Sequence, residues 1–211
     1  MTEERSVTTF VMENRLPWPE DGIAAGLNGP FDPGMIYDAG APRECSIRSI
    51  SALGATLCGE MQRQPGEEIA VELATGQRPA GTIEWVRGGE AGIRFKQPVD
   101  MLALINRKLI SQPSERRTMP RVELRCSLYL KWCEHLVPAV LRNISARGLQ
   151  LEGDDLPPRE TFVGVFVEGL NIPPGEVVWR KDNLAGIELF EELSWSSIIP
   201  WIREVGRRES R

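Results

Sequence analysis

An internal repeat constrains this chain more than any other feature of its sequence. Ser49-Ile50-Ser51-Ala52-Leu53-Gly54 returns as Asn143-Ile144-Ser145-Ala146-Arg147-Gly148, a spacing of 94 residues (143 − 49 = 94). The same spacing carries Trp85 onto Trp179, and Ala91-Gly92-Ile93 onto Ala185-Gly186-Ile187. Agreement at three separated points in one register predicts two homologous modules. A chain of 211 residues has room for two small ones.

Each module reads as closely spaced strands followed by a short helix. After the Ser-x-x-Gly turn come a short strand (Ala55 to Leu57; Leu149 to Leu151), a loop with Pro or Gly, and a β-rich run (Glu68 to Leu73; Phe162 to Val167). Two more strands follow, around Trp85 and Trp179 and at Ile93 to Phe95 and Ile187 to Phe190, joined by turns containing Gly88-Gly89 and Asp182-Asn183. Segments of helical period, Met101 to Ile110 and Trp195 to Val205, close the modules, with Pro200 expected in the first turn of the second helix or at a kink. The stretch 1–40, with PWPEDG and NGPFDPG, reads as an irregular arm. It can still donate a strand, from Val7 to Met12 or from Met35 to Tyr37. The division expected is an arm at 1–40, a first module at 41–110 and a second at 111–211.

Composition removes several function classes. The net charge of -5 argues against bulk electrostatic binding of nucleic acid, so an anion site here has to be local. No apolar run reaches the roughly 18 residues that span a bilayer, and MTEERSVTTF is acidic where a signal peptide is basic. That reads as a cytoplasmic protein without membrane insertion. Cys45, Cys58, Cys126, Cys133 and the one histidine, His135, have no zinc-ligand spacing, since Cys126 and Cys133 would face opposite sides of a strand. They read as inert thiols, with no metal and no cofactor. Ser145 has no motif linking it to His135, so no catalytic residue is expected and the chain reads as a non-enzyme. Trp85 and Trp179 read as core or barrel-wall residues, because the repeat keeps both.

Basic charge gathers between the modules. Arg107, Lys108, Arg116, Arg117, Arg121 and Arg125 lie close together, and Pro120 biases Met119 toward extended geometry, so Arg117 and Arg121 can converge on one ligand. A guanidinium pairs bidentately with phosphate or with the O6/N7 edge of guanine, and its plane stacks on bases. Downstream, Asn143 and Ser145 offer an amide and a hydroxyl, and Gly148, in a tight turn, tolerates positive φ.

These residues in this order resemble the PilZ domain family. The resemblance rests on RxxxR (Arg117 to Arg121), then [D/N]xSxxG (Asn143 to Gly148), ahead of a small β-barrel with a closing helix, and covers Ser111 to Val205. It implies an all-β fold of two tandem six-stranded barrels with short terminal helices. It also implies a receptor for cyclic di-GMP, with Arg116, Arg117, Arg121, Asn143, Ser145 and Gly148 as the ligand set and a protein partner downstream. The first module resembles the same family but departs at the functional positions. Ser49 stands for the Asp/Asn, and the repeat spacing puts Ile23 and Leu27 where the arginines belong. It therefore reads as a degenerate copy. The alternative is a scaffold that binds partners without a nucleotide.

Overall fold

The computed structural model describes residues 8–18, 31–38, 42–59, 64–111 and 121–209, the side chains of 108–111 and 209 excepted. The chain divides into two units, Met1–Arg121 and Val122–Arg211. Among the described residues no helix is long and apolar enough to cross a membrane.

The first unit contains β1 (Thr9–Val11), β2 (Asp32–Tyr37), β3 (Arg43–Ser51), β4 (Gly54–Cys58), β5 (Glu68–Glu72), β6 (Ala80–Arg87), β7 (Glu90–Phe95) and α1 (Met101–Ser111). Both strand candidates in the N-terminal stretch are used. β1 runs parallel to β3, with Phe10 opposite Ile50. β2 pairs antiparallel with β3 and β5, so a strand lies ahead of residue 41, where the module was expected to open. Its sequence, Asp-Pro-Gly-Met-Ile-Tyr, hides it: Pro33 and Gly34 are poor strand formers, and only Met35 onward carries the signal. The remaining pairings run β3 to β4, β4 to β7, β7 to β6 and β6 to β5.

The second unit contains β8 (Arg121–Trp132), β9 (His135–Ile144), β10 (Gly148–Glu152), β11 (Phe162–Val167), β12 (Leu170–Asn171), β13 (Gly175–Lys181), β14 (Leu184–Leu189) and α2 (Trp195–Glu209). β8, β9, β10, β14, β13 and β11 pair in that order, and β11 returns to β8, closing a six-stranded barrel. The ring of strands therefore has no free edge strand. Leu128, Leu130, Leu141, Ile144 and Leu151 alternate inward and are fully buried, each contributing on the order of 1.5–3 kcal/mol.

The two units share a register, residue for residue. Ala55↔Ile93 and Thr56↔Gly92 in the first become Leu149↔Ile187 and Gln150↔Gly186 in the second. Even the irregularities repeat: the β-bulge between Ile83 and Trp85 returns between Val177 and Trp179. β2 is the counterpart of β8, since Gly34↔Cys45 corresponds to Leu128↔Ala139. A repeat in sequence is thus a repeat in hydrogen bonding, because the same pleat and bulges set which side chains face inward.

The helices start at equivalent positions. Asp100 Oδ1 accepts from Ala103 N at 3.0 Å, and Ser194 Oγ accepts from Ser196 N at 3.3 Å, so each cap satisfies a donor of the first turn. α2 lays Trp195, Ile198, Trp201 and Ile202 on the core. Pro200 lies beyond the first turn, where it removes one backbone donor. Trp201 Nε1 donates to Glu168 O at 2.9 Å, which ties the helix to the turn before β12.

Candidate functional site

Among the predicted ligand residues, Arg121 is the exposed first residue of β8, and its neighbour Val122 pairs with Ile144 at the end of β9. The strand pairing thus brings the second arginine of RxxxR next to the NxSxxG turn. Arg116 and Arg117 lie outside the described residues, as do Ile23 and Leu27.

The turn itself is held from three directions. Ser145 N donates to Gly148 O at 2.9 Å, and Ser145 Oγ donates to the same oxygen at 3.2 Å. Leu189 N donates to Arg147 O at 2.9 Å and Leu193 N to Ala146 O at 2.8 Å, so the end of β14 and the approach to α2 fix the carbonyls. With its proton committed to the turn, the Ser145 hydroxyl offers a ligand its lone pairs. A turn fixed in this way has little ordering left to lose when it binds.

Gly148 is needed for a reason other than the expected one. Its φ is not positive. A Cβ there would stand 2.9 Å from Ile187 O, a backbone atom that cannot swing away. Gly54 faces Ile93 O in the same manner, at 2.2 Å. The glycine is kept in both copies because strand backbones approach closely at that point.

Asn143 pairs with Gln150, Gln150 with Gly186, and Gly186 with Trp179, forming one row across the outer wall of the barrel. A bulge on β9 between Asn143 and Leu141 makes this possible: it turns Asn143 outward with Gln150, while Ile144 and Leu141 stay in the core. Asn143 is only 6% exposed, whereas Trp179 is 40% exposed and lies against Gly186, where a Cβ would stand 2.0 Å from its Nε1. Trp179 therefore belongs to the outer wall, not to the core. The accessible hydrogen-bonding side chain of the row is Gln150, which sequence reasoning missed. The signal was available, since the Ala-Gly-Ile match preserves the bare glycine beneath each tryptophan.

Charge on this wall centres on Glu152, which meets Arg142 at 2.5 Å, Arg125 at 3.4 Å and Asn183 Nδ2 at 3.1 Å. The first unit repeats the arginine as Arg48 but takes its carboxylate from Glu90 on β7. Glu90 pairs with Cys58, the counterpart of Glu152, so the acid has moved one strand across while the base stayed. Burial pushes the Cys45 thiol up to about 11 and, with Glu90 beside it, that of Cys58 up to about 12. Both are protonated at neutral pH. His135 stacks on Trp132 at the β8–β9 hairpin, with ring centroids 5.3 Å apart.

No family model matches the chain, and no curated protein matches it. Solved structures overlap it weakly. PlzA of Borreliella burgdorferi, in complex with c-di-GMP, is 10% identical with a TM-score of 0.34, over 82% of this chain and 86% of that one. The inhibitor of motility MotI/DgrA of Bacillus subtilis is 12% identical with a TM-score of 0.30, over 86% and 100%. YcgR of Escherichia coli, in complex with c-di-GMP, is 13% identical with a TM-score of 0.28, over 85% of each chain.

Proposed function

We propose that the chain is a non-catalytic receptor for cyclic di-GMP, built as two copies of one barrel of which the second carries the ligand. The observation that supports this reading is the place of Arg121, the last residue of RxxxR, at the end of β8 and β9 that carries the NxSxxG turn. Arg121 heads the strand whose next residue pairs with Ile144, directly ahead of the fixed turn Ser145 to Gly148. In the reading, Arg116, Arg117 and Arg121 hold phosphates and guanine faces, while Asn143, Ser145 and the row beside them receive a base. The first copy, with Ser49 in place of the Asp/Asn, binds no nucleotide. The protein acts in the cytoplasm, where ligand draws the segment 111–121 onto the second barrel and alters a surface that a protein partner reads.

Titration calorimetry tests this directly. Arg121→Ala removes one charge-assisted pairing of about 1.5–3 kcal/mol, so it should weaken cyclic di-GMP binding about ten- to a hundredfold. Wild-type protein that takes up no cyclic di-GMP would end the receptor reading.

One observation favours a partner surface in either case. Phe162 and Phe190 are 68% and 56% exposed and meet edge-on at 5.5 Å. Their counterparts in the first copy are Glu68 and Lys96, an ion pair at 2.6 Å. The fold accepts charge at these positions, so the aromatic pair answers to something other than folding. If wild type binds no nucleotide, the scaffold reading takes over with this surface as its contact.

A further inference from the structure

The first unit shows what its outer wall holds when occupied, because the chain fills that wall with its own segment Leu16-Pro17-Trp18. Ser49 Oγ and Thr56 Oγ1 both donate to Pro17 O, at 2.9 and 2.6 Å. Trp18 stands edge-on to Trp85, with ring centroids 5.8 Å apart and planes at 80°. Leu16 reaches over Gly54: its Cδ2 lies 2.9 Å from where a Cβ would sit there. Ser49, Thr56, Gly92 and Trp85 are successive register partners across β3, β4, β7 and β6. Two hydroxyls thus grip one carbonyl while an aromatic ring packs on the wall tryptophan beside them.

At the repeat spacing these residues become Asn143, Gln150, Gly186 and Trp179, again successive partners. Among the described residues the occupant is not repeated. The three atoms nearest a Cβ at Gly186 all belong to Trp179, whereas at Gly92 one belongs to Trp18. Nearest to Gly148 are Ile187 and Ser145, with no counterpart of Leu16 among the described residues. Thr56 is fully buried beneath its occupant, while Gln150 is partly open to solvent.

We infer that Gln150 contacts the ligand of the second unit, holding the polar edge of a planar base that lies on Trp179, as Thr56 holds the Pro17 carbonyl beside Trp18 and Trp85. The class of group that fits is a purine base: flat, aromatic and edged with acceptors and donors that an amide pairs. This rests on the receptor reading above and adds to it a residue outside the RxxxR and NxSxxG motifs.

An isosteric pair of variants in the full chain tests the assignment, with cyclic di-GMP as the titrant and calorimetry as the readout. Gln150→Val removes the hydrogen bond, and Gln150→Thr restores a donor in the same shape, the one the first unit uses. One neutral hydrogen bond of about 1 kcal/mol converts to roughly a fivefold loss, so Gln150→Val should bind about fivefold more weakly and Gln150→Thr within about twofold of wild type. Unfolding midpoints should stay close to wild type, since a partly exposed strand residue is substituted. If Gln150→Val binds as wild type does while Arg121→Ala still weakens binding, the Gln150 assignment is overturned and the receptor reading stands. If Val and Thr lose affinity equally, the hydroxyl makes no contact and the assignment is likewise overturned. If wild type does not bind, both fall together.

Discussion

Gly92→Ala and Gly186→Ala form a matched pair in which one chain serves as its own control. A Cβ at either position would stand 2.0 Å from the Nε1 of its wall tryptophan, so in each variant an indole ring has to move. At Gly186 the ring is Trp179, already 40% exposed and free to rotate toward solvent, and the cost should be about 1–2 kcal/mol. At Gly92 the ring is Trp85, and Trp18 Cζ3 would also lie 2.6 Å from the new methyl group, so two packed rings are displaced. Overpacking of about 1–3 kcal/mol is then joined by loss of the edge-to-face contact, about 0.5–1.5 kcal/mol, for a total of about 1.5–4.5 kcal/mol. Urea unfolding at unchanged m-value reads the difference, and the cyclic di-GMP affinity of Gly186→Ala should fall while that of Gly92→Ala holds. Equal costs at the two sites would refute the reasoning, because Trp18 would then not be locking the first wall.

The thiols predict an alkaline loss of stability. Cys45 and Cys58 titrate at about 11 and about 12 when folded, above the roughly 8.5 of an unfolded thiol, so their contribution is complete below about pH 8.5 and fades as pH rises toward 11–12. Chemical unfolding at stepped pH should show this fall, and Cys45→Ala with Cys58→Ala should flatten it; an unchanged slope would contradict the burial argument. At neutral pH the exposed Cys133 should alkylate ahead of both, as mass spectrometry of a timed iodoacetamide reaction would record. Installing the first unit's ion pair in the second, Phe162→Glu with Phe190→Lys, should leave the unfolding free energy within about 1 kcal/mol and reduce binding of an apolar dye. Loss of the folded state in that variant would mean that the aromatic pair serves the fold itself.

The repeat made much of the fold legible, because matching positions in two copies carry register with them. Strand and helix positions from Gly54 to α1 and from Gly148 to α2 follow the sequence reading closely for that reason. Four features escaped it, each for a physical cause. Met35 to Tyr37 reads as a strand candidate, but the first half of β2 is masked by Pro33 and Gly34, which a barrel tolerates and a propensity scale does not. Gly148 looked like a turn glycine, yet close approach and positive φ both demand glycine, and only coordinates separate them. The wall occupant Leu16-Pro17-Trp18 has no periodicity at all, since a single carbonyl and one ring hold it. Gln150 was passed over although the Ala-Gly-Ile match points to its row, because its outward neighbour Asn143 is set by a bulge, and alternation alone does not predict bulges.

Hydrogen exchange of the intact protein with and without cyclic di-GMP reports binding and its location together. Exchange should slow across Ser111 to Arg121, where Arg116, Arg117 and Arg121 gain a common counter-charge, and across Asn143 to Gln150 on the second wall. No change is expected across Ser49 to Thr56, whose wall Pro17 and Trp18 already fill. Protection appearing at Ser49 to Thr56 in place of Asn143 to Gln150, or none at saturating cyclic di-GMP, would contradict binding to the second unit.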